Sequence, residues 1–216
     1  MVGSEAVAGT RKEITREIHL RGLVPLMYDR YPGDNSTKLD PWQKFNFSRK
    51  DGRTIIMPAL NIMSFLSAQN TPSAPKRLLD KRKYRETANG CLSFALLSAL
   101  KVAGASTGMD DEFPLLRDGK PIKLDVPTGD FDDAQGVYIH RCVARLKDGI
   151  PNPKVRPTLQ LPWALRFRLT LLPNGEVQEQ MVKFLFDRGG LAIGLGTFRG
   201  VFGKFEIADW LDAAKA

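Results

Sequence analysis

Apolar and polar residues alternate from Glu13 to Arg21. Ile14, Ile18 and Leu20 fall on one side, and Thr15, Glu17, His19 and Arg21 on the other. A period of two sends successive side chains to opposite faces, so this stretch predicts a half-buried strand. Gly22 stops it, and it continues raggedly through Leu23–Tyr28. Residues 29–44 are rich in Asp, Pro, Gly, Asn and Ser and read as loop. Phe45 and Phe47, then Lys50-Asp51-Gly52, then Thr54–Met57, predict a hairpin turned at Asp-Gly. Pro58 suits a first helical position, and Ala59, Ile62, Met63 and Leu66 recur at the spacing of one helix face.

The last third is patterned as clearly. Trp163, Leu165, Phe167 and Leu169 alternate with Ala164, Arg166, Arg168 and Thr170, which predicts a strand turned by Pro173-Asn174-Gly175. Val177, Met181, Phe184 and Leu185 then mark a helix, with Gly189-Gly190 as its expected end. KFEIADW, residues 204–210, predicts a final strand. Between these parts lie an apolar run from Cys91 to Val102, readable as strand or helix, and an acidic stretch, 105–135, with a hairpin at Arg117-Asp118-Gly119. Tyr138 to Leu146 predicts another strand, and 147–162 a Pro-rich basic connection. Helices following strands without a strict βαβ alternation predict an α+β chain.

Composition adds a partner class. The 216 residues hold 32 Lys and Arg against 24 Asp and Glu, a net charge of +8, and this excess favours a polyanion. The two cysteines, Cys91 and Cys142, are far apart, which excludes a disulfide scaffold and a thiolate zinc site. The apolar run Cys91–Leu100 is too short to span a bilayer, and the first ten residues lack the form of a signal peptide. A cytoplasmic protein without a membrane partner is expected. Asp130, Asp132 and Asp133 begin like a calcium loop, but Gln135 stands at its glycine position and Arg141 at its closing Glu. No metal and no other cofactor is expected.

The segment GGLAIGLGTFRGVFGKFEI, residues 189–207, concentrates glycine. It follows a helix rather than opening one, and its spacing breaks both phosphate-loop patterns, so nucleotide binding of those kinds is set aside. Two readings stand: a turn that needs left-handed backbone, or a loop that lets RNA approach Gly194 and Gly196 while Arg199 contacts phosphate.

A strand running into GLVPLM (22–27), with helix, GG, GxG, Arg199, GxF and strand at the far end, resembles the RAMP superfamily, the RNA-binding proteins of CRISPR effector complexes. The resemblance covers residues 13–28 and 155–210, and is nearest to crRNA-binding backbone subunits or their phage- and prophage-borne relatives. It implies an RRM-like (ferredoxin-like) core with an antiparallel sheet, a glycine-rich C-terminal loop and an inserted basic segment. On this reading residues 1–216 form one domain, with 29–57 and 70–135 as insertions or loops.

Two basic clusters carry the binding expectation. Lys76, Arg77, Lys81, Lys83, Arg82 and Arg85, with Tyr84 to stack on a base, form the first. Arg141, Arg145, Lys147, Lys154, Arg156, Arg166 and Arg168 form the second, Arg141/Arg145 and Arg166/Arg168 each sharing a strand face. A charge run is ordinarily a solvated face, and this bland reading stands beside the functional one. His19 and His140 are the candidates for a general base or acid; the ordinary alternative is a histidine hydrogen-bonded near the sheet. The expected function is non-catalytic binding of single-stranded RNA, such as crRNA, by copies of the chain and other effector subunits. The alternatives are a metal-independent crRNA-processing endoribonuclease of the same fold, and a phage-borne mimic that binds a host complex.

Overall fold

The computed structural model describes residues 13–34, 36–67, 99–103, 111–126, 129–145, 151–172 and 177–213. In chain order the elements are β1 (Ile14–Gly22), β2 (Leu26–Met27), a 3-10 turn (Pro41–Lys44), β3 (Ile56–Pro58), α1 (Ala59–Ser67), β4 (Leu100–Ala103) and β5 (Glu112–Arg117). They continue with β6 (Lys120–Pro121), β7 (Phe131–Asp132), β8 (Val137–Arg145), β9 (Pro151–Leu159), β10 (Ala164–Leu171), α2 (Glu179–Ala192) and β11 (Phe205–Asp212).

Six of them form the frame. In the order β1–α1–β4–β10–α2–β11 they read strand, helix, two strands, helix, strand. In space the strands lie β11-β1-β10-β4, every neighbouring pair antiparallel. Fourth, first, third, second is the order of a ferredoxin-like sheet, so the fold is α+β with an RRM-like core. The alternation in the sequence explains why both helices settle on one face. Ile18, Leu20, Leu165, Phe167 and Leu169 point inward and are buried. Phe65 of α1 lies 5.7 Å from Phe186 of α2, and both rings pack on Phe205 of β11, at 5.5 and 6.4 Å.

The regions expected as insertions or loops contribute strands to the same sheet, and 70–135 supplies β4 of the frame itself. The outer edge of β10 is shared, residues 168–171 pairing with β4 and residues 164–165 with β5. β3 then pairs with β5, and β6 closes the hairpin at Asp118-Gly119. A second sheet, β2-β9-β8-β7, is built on the long β8–β9 hairpin.

Three expectations are corrected. Residues 151–159 form a strand, not a connection, despite Pro151, Pro153 and Pro157. All three are odd positions, and Tyr28 N donates to Pro157 O on the side away from β8. A proline there removes no β8–β9 ladder bond, which is where strand prolines are tolerated. The second helix also runs through Gly189-Gly190 to Ala192. A Cβ at Gly190 would stand 2.5 Å from Phe205 O, so this glycine admits close contact with β11, and the left-handed residue that ends the helix is Gly194. Finally, the buried stripe of α2 is Val182, Leu185 and Phe186, while Phe184 is exposed.

Arg16, on the inner face near the start of β1, ties the sheet to α2. Its Nε and Nη2 donate to the two Glu179 carboxylate oxygens at 2.7 and 3.0 Å, and Trp210 Nε1 donates to Glu179 Oε1 at 2.8 Å. The hydrogen bond from Arg16 holds the Glu179 carboxyl below its ordinary value, against the opposing effect of burial. A carboxyl that ionises more readily when folded adds stability above its unfolded value, and that stability is lost as pH falls through the lowered folded value. Glu179→Gln is therefore expected to lower thermal stability at neutral pH and to flatten the acid limb of the stability profile. Equal slopes below pH about 4.5 for both proteins would contradict this.

Candidate nucleic-acid interface

The glycine-rich segment is fastened at several points. Leu195 N donates to Gly203 O at 2.9 Å, Thr197 N to Met27 O at 3.0 Å, and Gly203 N to Pro25 O at 2.8 Å. Gly196 N donates to Asn61 Oδ1 of α1 at 3.3 Å. The segment thus lies on β2 and its approach, and its glycines answer to that contact. Gly196 has φ +73°, and a Cβ there would be 2.5 Å from Met27 O; a Cβ at Gly203, φ +71°, would collide with Leu195 O. The space expected at Gly194 and Gly196 for an approaching RNA backbone is filled by this chain's own backbone, at Gly203 and Lys204 for Gly194 and at Met27 for Gly196. Only Gly200, among the loop's left-handed glycines, faces open space.

What the loop presents outward is Phe198, Arg199 and Val201. Phe198 is 48% exposed and holds φ 53°, an uncommon conformation for an aromatic residue. Its ring stacks on Phe202 at 5.9 Å, and Phe202 meets the edge of His140 on β8 at 5.2 Å. Arg199 is half-buried and donates from Nε to Gly196 O at 3.3 Å. It has no carboxylate partner among the described residues, and burial pushes its guanidinium below the ordinary arginine value. An unpaired, partly desolvated cation is costly, and the cost is offset when an anion arrives.

The register of the hairpin extends this surface. His140 is paired with Arg156 and Cys142 with Lys154, so Arg156 and Lys154 share the face on which Phe202 sits. Arg156 donates to Asp29 at 2.8 Å, and Lys44 Nζ approaches the same carboxylate at 3.5 Å.

The predicted basic residues divide between this surface and others. Arg141 is on the opposite face of β8 and is engaged by both Asp130 oxygens at 2.7–3.0 Å. Arg145 belongs to the same strand, and its side chain lies outside the described residues. Arg166 and Arg168 are exposed on the outer face of β10, opposite His19 and Glu17 of β1. Lys76, Arg77, Lys81, Arg82, Lys83, Tyr84 and Arg85 lie outside the described residues.

The outer face of the main sheet differs from an RNA-recognition platform, in which aromatic side chains on the strands stack bases. On β1 and β10 it carries Thr15, Glu17, His19, Arg21, Arg166, Arg168 and Thr170. His19 Nδ1 lies 2.9 Å from Asp209 Oδ2 and Nε2 lies 2.7 Å from Glu17 Oε1, so each ring nitrogen already faces a carboxylate. His140 is the histidine that meets the loop.

Sequence reasoning named Arg199 and passed over Phe198. The signal was present: an aromatic beside an arginine, between glycines, has no partner in any periodic pattern. Among the described residues no group of three His, Cys, Asp or Glu side chains is placed to hold a metal ion, and no helix is long and apolar enough to cross a membrane.

Comparison with known proteins gives some likeness among solved structures. No family model matches the chain, and no curated protein matches it. Among solved structures it is similar to a chain in the cryo-EM structure of the Type III-B Cmr-beta bound to cognate target RNA, with 11% sequence identity and a TM-score of 0.47. The likeness covers 94% of this chain and 62% of that one, so this chain spans less than two thirds of its neighbour's length.

Proposed function

We propose that this chain is a non-catalytic binding protein for single-stranded RNA, and that several copies line up along one strand. The observation that carries the reading is Arg199, a half-buried guanidinium with no carboxylate partner among the described residues, next to an exposed aromatic ring. The arginine would hold a phosphate and Phe198 would stack on a base, the two contacts by which single strands are bound without reading sequence. The charge of +8 supports the same partner. The resemblance to the RAMP superfamily makes a guide RNA such as crRNA the expected strand, and other effector subunits the expected neighbours. A single domain touches few nucleotides, so neighbouring copies would supply the remaining affinity by raising each other's effective concentration.

His140 gives the rival endoribonuclease its best residue, since its ring lies against the loop. The two readings separate in one experiment. The purified chain, incubated with a labelled strand of several dozen nucleotides, is expected to leave it intact with or without EDTA. Light scattering is expected to show more than one protein per strand at saturation. Cleavage that disappears in His140→Ala would replace binding with catalysis, and one protein per strand at low salt would remove the assembly.

A further inference from the structure

A groove of about 790 Å³ lies between the 29–44 segment and the first half of β9. Its floor is tied together, Arg30 N donating to Lys44 O at 3.0 Å and Lys44 Nζ to Val155 O at 2.9 Å. Both carboxylates of its lining are already committed. Asp29 receives Arg156 and Lys44. Asp34 accepts from Ser36 N and Oγ and from Thr37 N and Oγ1 at 2.6–2.8 Å, bonds that hold it ionised well below the usual carboxylate range. Of the four lining cations only Lys44 is matched in this way among the described residues. Arg30 and Lys38 are exposed, Lys154 is half-buried, and none of the three has a carboxylate partner among the described residues. Tyr31, 62% exposed, stands at the same groove.

The groove is also continuous with the interface already described. Lys154 lines it, and shares a hairpin face with Arg156 and His140, whose ring meets Phe202 of the glycine-rich loop. Alternate residues of a strand are separated by about 7 Å, so Arg156 and Lys154 form a row leading from the loop to the groove.

We propose that this groove is a second nucleotide subsite on the same single strand, with Arg30, Lys38 and Lys154 around a phosphate and a base against Tyr31. The proposal rests on the reading of the chain as an RNA-binding protein, and adds a place and a direction to it. An acidic peptide would satisfy the cations. The nearby aromatic ring and the continuity with Phe198 favour a nucleotide. A volume of this size also suits a ligand of that class.

Anisotropy with an oligouridylate of roughly 12 nucleotides tests it, a length suited to more than one subsite. Tyr31→Ala is expected to lower affinity roughly tenfold, the loss of one stacked base, while Tyr31→Phe keeps it. The double variant Arg30→Ala/Lys38→Ala removes two exposed side chains and is expected to weaken binding to a similar degree with an unchanged melting temperature. A strand carrying 4-thiouridine is expected to photocrosslink to the peptide holding Tyr31. If the wild type binds RNA and Arg199→Met weakens it, but the groove variants bind normally and no such crosslink forms, the subsite is overturned and the RNA reading stands. If the wild type binds no RNA, both fall. If polyglutamate binds more tightly than RNA and the same groove variants abolish that binding, the groove is a peptide site and the proposal is wrong.

Discussion

Gly203→Ala is expected to destabilise the chain by about 3 kcal/mol or more, the sum of a left-handed alanine and an overpacked contact. Gly203 has φ +71°, and the added methyl would enter the carbonyl of Leu195, the residue whose N donates to Gly203 O at 2.9 Å. In a chain of this size that corresponds to a fall in melting temperature of roughly 6–12 °C. Gly200→Ala is the control. Its φ of +91° carries the backbone cost, about 1–2 kcal/mol, but no atom lies within 4 Å of the new methyl. Thermal denaturation of the two variants separates the jobs of the glycines. Equal losses would mean that the loop does not close on Leu195 as described. Gly196→Ala should follow Gly203 and lower stability, because Met27 O occupies the space its side chain would take.

Arg199→Met is expected to lower affinity for single-stranded RNA roughly tenfold to a hundredfold, the range of a lost charge-assisted hydrogen bond to phosphate. The same substitution should leave the melting temperature unchanged or raise it. Among the described residues the Arg199 side chain bonds to Gly196 O and has no carboxylate partner, and it is half-buried, so replacing it with an apolar chain of similar length removes a desolvated charge. A structural arginine would give the opposite pattern, lower stability with binding intact. Arg199→Lys should fall between wild type and Arg199→Met, because an ammonium keeps the charge and loses the planar fork.

The frame was legible because its residues follow strict periods. Leu165, Phe167 and Leu169 alternate along β10 and are buried. On β1, Ile18 and Leu20 are buried and Ile14 partly so, with Arg16 as the one charged residue on the inner face of that strand. The strand at 151–159 was hidden by its prolines. Their meaning depends on which residues of a strand turn their N–H toward the β8 ladder, and that is a property of the pairing, not of the segment. The end of α2 was misplaced for a related reason. Gly189-Gly190 looks like a cap, whereas Gly190 is needed where the helix crosses Phe205.

The interface was half legible. Arg199 is visible as a cation in a glycine-rich segment, but for the second basic cluster spacing gives only that Arg141/Arg145 and Arg166/Arg168 each share a strand face. The fold divides it: Arg141 turns to Asp130, Arg166 and Arg168 stay on the main sheet, and Lys154 and Arg156 join the loop. The groove lined by Arg30, Tyr31 and Lys38 lies in a stretch with no periodicity, and it exists only because β9 runs past it.

The salt dependence of RNA affinity tests the central claim most directly. For a labelled oligouridylate, the logarithm of the association constant is plotted against the logarithm of salt concentration for wild type and Arg199→Met. Single-strand binding releases counterions with a slope of about −0.7 per phosphate neutralised. The account predicts a wild-type slope of about −2 or steeper, equivalent to three or more phosphates, and a slope shallower by about 0.7 in the variant. A wild-type affinity that is absent at low salt, or that does not change with salt, would contradict it.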